Sequence, residues 1–438
     1  MTDHPRYALC GLSNRAIGTF VGALLDSVVP GRPDVERAPG ELVAILDADR
    51  DRVDQFLAQQ ENPAIAAYGA DEFDRMITEA RPDRVIIATP DHSHADYVVA
   101  ALGHGLDVIT EKPMTATAAD AARVLAAERD SAGTVTVTHN VRYTPRLQQV
   151  KRLIMDGAIG RVLGATLDYH VDTRHGASYF LRWNRTRAAS GGLSVHKSCH
   201  HLDLVDWLVD DLPVTVYARG GRAFYGPDSP HRPRDEHGAP LTGDWLRAAD
   251  PYQRAQQGSG TFPDDDHGRT GLAGLSYPVQ YPDGQPFTLY DDEIDIEDHY
   301  TAVIGYRGGA TLAYTIDFSS PWEGYRLGIT GSHGRIELDY GHDRDGSPRP
   351  GTDQVIVDPL FGERRRLEAA AAQGGHDGAD AIMRRDLFVG PTEESRRLGL
   401  AATTEQAAYA VAAGEAIWRS ARSGSVINIA DLLGHDVP

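Results

Sequence analysis

The sequence predicts an α/β protein of two domains: an N-terminal doubly wound parallel sheet, then an α+β domain with a large, mainly antiparallel sheet. Three observations predict it. Short apolar runs alternate with helical patterns up to about residue 139, a glycine-containing turn follows the first run, and later runs alternate apolar with polar residues. The division falls between 1–139 and 140–438, with a long insertion at about 225–295.

Tyr7 to Cys10 reads as a strand, ended by Gly11-Leu-Ser-Asn-Arg-Ala16. Ile17, Phe20, Val21, Leu24, Leu25 and Val28 then recur at helical spacing, one face of a first helix. Pro30 to Gly40 is a loop, and Glu41 to Asp47 is a second buried strand with an acid at its end. Arg84 to Pro90, Leu106 to Thr110 and Thr134 to Thr138 are further strands, with helical stretches between the earlier ones. Repeated units of this kind give a parallel sheet with helices on both faces. Beyond residue 140, strands are expected at Val162–Val171, Val214–Phe224, His299–Tyr306, Ala310–Phe318, Tyr325–Thr330 and Arg335–Tyr340. Turns such as Arg307-Gly-Gly309 and Gly331-Ser-His-Gly334 join them, giving a sheet with one face buried and one free to cover a site or meet another subunit. Ala407, Val411, Gly414, Ile417 and Trp418 form a helical stripe read as core. The Tyr225 to Asp295 insertion, dense in Pro, Gly and Asp, reads as a cover over a site or an oligomer arm.

With 63 acidic against 43 basic residues, the formal net charge is -20. That argues against nucleic acid and anionic membrane surfaces as partners. Cys10 and Cys199 are the two cysteines, so no disulfide framework is expected. Met1-Thr-Asp-His-Pro-Arg lacks a signal-peptide pattern and no apolar run approaches a membrane span of about 20 residues. The expectation is a soluble cytoplasmic protein.

The first turn, Gly11-x-Ser13-x-x-Ala16, is a degenerate version of the Gly-x-Gly-x-x-Gly dinucleotide fingerprint, placed after a strand and opening a helix. Asp47 can hydrogen-bond an adenosine ribose and repel a 2′-phosphate, favouring NAD over NADP; it can equally cap the next helix. Thr89-Pro90-Asp91-His92-Ser93-His94 and Glu111-Lys112-Pro113 each follow a strand, at the carboxyl edge where ligands bind. There Lys112 can polarise a substrate oxygen, unless it is an ordinary surface lysine. His196, His200 and Asp203 fall at i, i+4 and i+7, one face of a single helix. His-x-x-x-His is also zinc spacing, but the remaining ligand pattern is incomplete, and no metal is expected. Structural histidines are the other alternative.

Thr89-Pro90-x-x-x-His94, Ala101, Gly105, Glu111-Lys112-Pro113, Asn140-x-Arg142-Tyr143-x-Pro145 and Gly157-Ala-Ile-Gly160 together resemble the Gfo/Idh/MocA oxidoreductases, named for glucose-fructose oxidoreductase and inositol dehydrogenase. The resemblance covers essentially the whole chain. It implies a Rossmann domain holding NAD through Gly11, Ser13, Asn14, Arg15, Asp47, Thr89, Pro90, His94, Glu111, Lys112 and Asn140. The family site usually reads Asp-x-x-x-His-x-x-Asp; His200 aligns with its catalytic histidine, His196 replaces the aspartate, and Lys197 is a second departure. A branch of the family carries this His-Lys-x-x-His-His-x-Asp version. Lys112, His200 and His196 are thus the expected catalytic set. Arg142, Tyr169, His170, Tyr179, Arg182, Trp183 and Asp203 are expected around a carbohydrate or glycoside substrate. The resemblance also implies a homodimer or homotetramer. The expected reaction is hydride transfer between nicotinamide and a secondary hydroxyl of a sugar, glycoside or cyclitol. Its alternative is NAD-dependent glycoside cleavage by oxidation, elimination, water addition and re-reduction, with His196 or Tyr169 as second base. A non-catalytic NAD-binding sensor is the third reading.

Overall fold

The computed structural model describes residues 4–25, 37–60, 64–252, 269–270, 275–277, 287–372 and 377–434. Six strands, β1 (Arg6–Cys10), β2 (Glu41–Leu46), β3 (Ala66–Tyr68), β4 (Arg84–Ile87), β5 (Asp107–Thr110) and β6 (Val135–Val137), build the first sheet in the order β3-β2-β1-β4-β5-β6. Every pair is parallel. The order reverses between β1 and β4, so the loops leaving their carboxyl ends part and open a crevice. β3 goes beyond the expected set; its three residues are too few to show a period.

The strands are apolar on both faces, and Tyr7, Ala8, Leu9 and Cys10 are all buried. The first helix runs Asn14–Ala16, widens into a π-helical turn over Ile17–Val21 and closes with Gly22–Leu24. It is buried on more than the one expected face, because Leu275 and Phe388 from the second half of the chain join its cluster. Val28, residues 30–36 of the expected loop and much of the 225–295 insertion lie outside the described residues.

The second half contributes β7 (Val162–Asp172), β8 (Pro213–Gly221), a two-strand pair β9 (Arg269–Thr270) and β10 (Ser276–Tyr277), then β11 (His299–Tyr306), β12 (Thr311–Ser320), β13 (Glu323–Gly331), β14 (Gly334–His342), β15 (Gln354–Pro359), β16 (Arg365–Glu368) and β17 (Ile427–Asn428). Nine of these form one sheet in the order β16-β15-β14-β13-β7-β12-β11-β8-β17. Only β7 against β12 is parallel. Alternation separates its faces: Tyr300, Ala302 and Ile304 are buried, while Thr166, Tyr217, Thr301, Val303 and Ala313 are exposed on the other side.

Over the buried side the Thr404–Ser423 helix packs against β8, the Cys199–Val209 helix and the Ala118–Arg129 helix. Ala407, Val411, Gly414 and Ile417 are core, as expected. Trp418 instead sits half-buried at the rim, with the Arg187 guanidinium 4.4 Å from its ring centre. Gly414 has a positional reason: a Cβ there would lie 2.2 Å from the Ser194 carbonyl oxygen, so only glycine lets the segment carrying His196 come this close.

Arg142 and Asp203, expected at the substrate, are instead fully buried against each other. Arg142 donates to both carboxylate oxygens, at 2.7 and 2.5 Å, and to the Gly399 carbonyl and Gln406 side chain at 3.2 and 3.0 Å. The planar guanidinium matches a carboxylate two-pronged, and neither charge tolerates such burial alone. Replacing Asp203 with Leu should therefore lower unfolding free energy by about 3–5 kcal/mol, while Arg142→Met with Asp203→Leu should recover most of it. Urea unfolding followed by tryptophan fluorescence measures both, and a single variant within about 1 kcal/mol of wild type would remove the pair from the fold's supports.

Candidate active site

The carboxyl edge of the first sheet gathers the glycine turn after β1, Asp47 after β2, Thr89 to Asp91 after β4, Glu111-Lys112 after β5 and Asn140 after β6. Gly11 has φ +91°, and a Cβ on it would fall 2.6 to 2.7 Å from Ala88 O and Thr89 N. The turn therefore presses its bare backbone against the end of β4, as a cradle for a dinucleotide requires. Ser13 departs from the glycine pattern because its hydroxyl caps the helix, accepting from Ala16 N at 3.1 Å. Asn14 begins that helix.

The Asp47 carboxylate accepts from Leu12 N at 2.6 Å and Asp49 N at 2.8 Å, tying β2's end to the glycine turn. The following helix is capped by Asp49 rather than Asp47, through Arg52 N at 2.9 Å. Thr89 accepts a hydrogen bond from Ser93 and, like Pro90, is half-buried. His94 does not face the crevice. It is buried, its ring nitrogens 2.9 Å from the Pro113 carbonyl and 2.8 Å from that of Thr89, so it braces two loops. Arg15 bridges Glu111 and Asp380 at 3.0 Å each, and Asn140 donates to Asp380 at 3.1 Å. Asp380 was not anticipated; it arrives from a helix 240 residues beyond Asn140.

The catalytic segment does not form one helix. Leu193–His196 is a single turn, and the Leu193 carbonyl then accepts from both Lys197 and Ser198 before Cys199–Val209 begins. That break sends the three side chains apart. Asp203 meets Arg142, His200 faces a cavity, and His196 turns to the end of β4. His196 Nδ1 donates to Asp91 at 2.5 Å, and Nε2 accepts from the Asn184 amide at 3.2 Å, which fixes the tautomer. Tyr179 and Trp183 stand edge-on to its ring at 5.6 and 5.7 Å. Burial holds the His196 pKa below its ordinary value despite Asp91. Its carbonyl accepts from the Lys112 ammonium at 3.4 Å, on the carboxyl side of β5.

Around this core, Tyr179 donates to His175, whose other nitrogen donates to Glu323 at 2.9 Å, and Arg182 donates to Ser178. Arg185 and Arg187 hold Asp291 and Glu297, so the end of the insertion is pinned just past Trp183. His200 lines a cavity of about 140 Å³ with Asn140, Tyr169, Lys197, His201 and Tyr325. Its Nδ1 is buried without a hydrogen-bond partner among the described residues. Burial, then Lys112 and Lys197, push its pKa well down, so the ring is neutral. Tyr169 stacks on His201 at 3.9 Å. His170 does not join it: the next residue on a strand points to the other face, where Asp317 holds it at 2.6 Å. His139 was also missed; it is buried between Asp203 at 3.8 Å and the His200 ring at 6.2 Å, and both its ring nitrogens lack hydrogen-bond partners among the described residues.

No group of three or more His, Cys, Asp or Glu is placed to hold a metal ion among the described residues. No helix among them is long and apolar enough to cross a membrane.

Comparison with known proteins decides the family. The sequence pattern described as oxidoreductase family, NAD-binding Rossmann fold, matches residues 6–139, and that of the same family's C-terminal alpha/beta domain matches 151–429. The chain belongs to the Gfo/Idh/MocA oxidoreductases. The putative oxidoreductase YteT of Bacillus subtilis is 41% identical over 431 residues, 97% of each chain. Among solved structures, levoglucosan dehydrogenase with NADH and levoglucosan aligns with a TM-score of 0.63 at 16% identity, covering 97% of this chain and 99% of that one. Aldose-aldose oxidoreductase from Caulobacter crescentus gives 0.60 at 19%, with the same coverage. At these identities the likeness is one of fold. Within this Gfo/Idh/MocA protein, Asp91, the acid after β4, is the partner of His196 that sequence reading did not single out: it occupies the ligand edge of the sheet, and that position was its signal.

The buried histidines set a pH dependence. His139, His196, His200 and His201 are all held below the ordinary histidine value, chiefly by burial. Unfolded, they regain values near 6.5 and take up protons that the folded state refuses. Stability should be full above about pH 7 and fall below it, by up to about 1.4 kcal/mol per pH unit for each such proton. His170 and His299, whose values carboxylates raise, stabilise below the unfolded value and lose that contribution as pH rises, offsetting part of the slope. Urea unfolding from pH 5.5 to 8 should show a shallower acid decline in His200→Asn than in wild type; equal slopes would contradict the neutral, buried His200.

Proposed function

We propose that this protein transfers a hydride between nicotinamide and a secondary hydroxyl of a sugar, glycoside or cyclitol, with NAD rather than NADP as cofactor. The observation carrying the reading is that Lys112, at the carboxyl edge of β5, holds the His196 carbonyl, four residues before a neutral His200 on the cavity wall. The levoglucosan dehydrogenase of the same fold is solved with NADH and its sugar.

The first domain, 1–139, would hold NAD through the Gly11 turn, Ser13, Asn14, Asp47, Thr89 and Pro90. Arg15, Glu111 and Asn140 fix the adjoining edge through Asp380. Each Asp47 oxygen accepts one backbone N–H, with the Arg52 guanidinium 3.7 Å from one of them, and an acid here can accept from a ribose hydroxyl and disfavours a 2′-phosphate. When bound, NAD supplies the hydride acceptor. The second domain, 140–438, closes the other wall. His200 takes the hydroxyl proton, and Lys112 donates to the oxygen as negative charge develops. His196, locked by Asp91 and Asn184, aims Lys112 through its carbonyl. Tyr169, Tyr179, Arg182 and Trp183 shape the sugar's surroundings. The His196-Lys197 pair supports a place in the family branch with a His-Lys-x-x-His-His-x-Asp site. The exposed face of the nine-stranded sheet, with Tyr217, Val303 and Ala313, serves a homodimer or homotetramer.

Net oxidation is favoured over oxidation and elimination because neither expected second base is free to act. Both ring nitrogens of His196 have partners, and burial pushes the Tyr169 hydroxyl well above its ordinary value. Free sugars, cyclitols and aryl glycosides, followed for NADH absorbance and aglycone release, separate the readings. Stoichiometric NADH is expected; aglycone without net NADH would favour elimination, and NAD binding with neither would favour a sensor. His200→Ala should lower turnover by about 10²–10⁴ with NAD affinity nearly unchanged; lost NAD binding would show that His200 serves the cofactor instead.

A further inference from the structure

We infer that the sugar taken by this site carries a carboxylate, and that Lys197 is the residue that reads it. The inference rests on the oxidoreductase reading for the identity of the pocket and goes beyond it in naming the substrate's charge.

Lys197 lies at the break between the two helical segments and lines the same cavity as His200. Its half-buried ammonium makes no hydrogen bond and no ion pair among the described residues; its polar contact is the face of Tyr169, 5.4 Å from the ring centre. The acids nearby give their hydrogen bonds and short ion pairs to other groups. Glu323, whose charge acts on Lys197 at longer range, is hydrogen-bonded by His175 at 2.9 and 3.0 Å, and Asp377 is held by Tyr340 at 3.3 Å and Arg146 at 3.5 Å. Asp203 belongs to Arg142 and Asp91 to His196. In a chain with a net charge of -20, an unpaired cation in a cavity is not part of a basic surface.

Removing an ammonium from water without a hydrogen-bonded counter-charge is unfavourable, and a cation–π contact returns only about 0.5–2 kcal/mol. A carboxylate on the ligand supplies the missing partner. The other basic groups of the cavity do not compete for it: His201 Nδ1 is engaged by the Tyr314 hydroxyl at 2.8 Å, and both His200 and His201 are held neutral. One ammonium matches one monoanion. A phosphate is more commonly met by a guanidinium fork or a row of backbone N–H groups, and no arginine lines this cavity. Position agrees as well. Lys197 and His200 line the same cavity, so a sugar with its reacting hydroxyl at His200 lies in the cavity that Lys197 also lines.

The test compares matched sugars on the full chain with saturating NAD: D-glucose against D-glucuronate, D-galactose against D-galacturonate, and 4-nitrophenyl β-glucoside against the glucuronide, with glucose 6-phosphate as the phosphate arm. Turnover is read as NADH or released nitrophenol, and affinity by calorimetric titration. Wild type should prefer the acidic member of at least one pair by about tenfold or more in kcat/KM. Lys197→Met should reduce that ratio about tenfold, mainly through KM, while Lys197→Arg keeps most of it. Equal turnover of acidic and neutral members, or an unchanged ratio in Lys197→Met, overturns the inference, as does tighter binding of glucose 6-phosphate than of glucuronate. Turnover of neutral sugars alone leaves the oxidoreductase reading standing and removes this one. Uronate binding that Lys197→Met weakens, without NADH or nitrophenol, supports the carboxylate and removes the redox reading. Absence of uronate binding to the NAD-loaded protein overturns the carboxylate outright.

Discussion

The buried ion pair between Arg142 and Asp203 is the constraint on which the site depends. Arg142 follows β6, on the carboxyl edge that offers Lys112, and Asp203 lies on the helix that carries His200. Two-pronged hydrogen bonding with no exposure leaves that helix one position against the sheet edge. The same guanidinium reaches Gly399 and Gln406, so the start of the long Thr404–Ser423 helix is held to the same point. Three distant stretches of chain thus share one charge pair. The price of that pair is large if either partner is lost, which is what makes it a pin rather than a convenience.

A second bridge, Asp91 to His196, crosses the same crevice from the end of β4. Between the two bridges the chemistry is electrostatic. Burial keeps His139, His196, His200 and His201 below their ordinary values, and the Lys112 ammonium lowers all four further. In the proposed reaction the neutral His200 takes a proton while the Lys112 ammonium meets the charge it leaves. The Asp91 carboxylate meets the His196 ring, and the Lys112 ammonium meets the same residue's carbonyl.

Much of the fold was legible in the sequence. The strands of the first sheet and most of the second were marked by apolar runs and glycine turns, and Lys112 fell at a strand end because such runs stop abruptly. β3 is too short to show a period, and in β15 the half-buried Ile356 between Val355 and Val357 blurs the alternation. The site was less legible. His196, His200 and Asp203 keep helical spacing in sequence, but two N–H groups converge on the Leu193 carbonyl and break the helix, which no residue count reveals. Arg142, Asp203 and His94 were read as ligand contacts because they sit within recurring motifs; all three are buried braces. His170 was misplaced by treating neighbours on a strand as neighbours in space. Asp380 was invisible, since only tertiary packing brings it to the edge; His139, beside Asn140 after β6, carried the strand-end signal but was not singled out.

The central claim, that Lys112 at the strand edge carries the hydride-transfer chemistry, is tested most directly by single-turnover NADH formation in Lys112→Met. With saturating NAD and a substrate identified on wild type, the rate should fall by about 10²–10³ or more while NAD affinity stays nearly unchanged. A single-turnover rate within about tenfold of wild type would contradict the account, because the oxygen's developing charge would then be met by some other group.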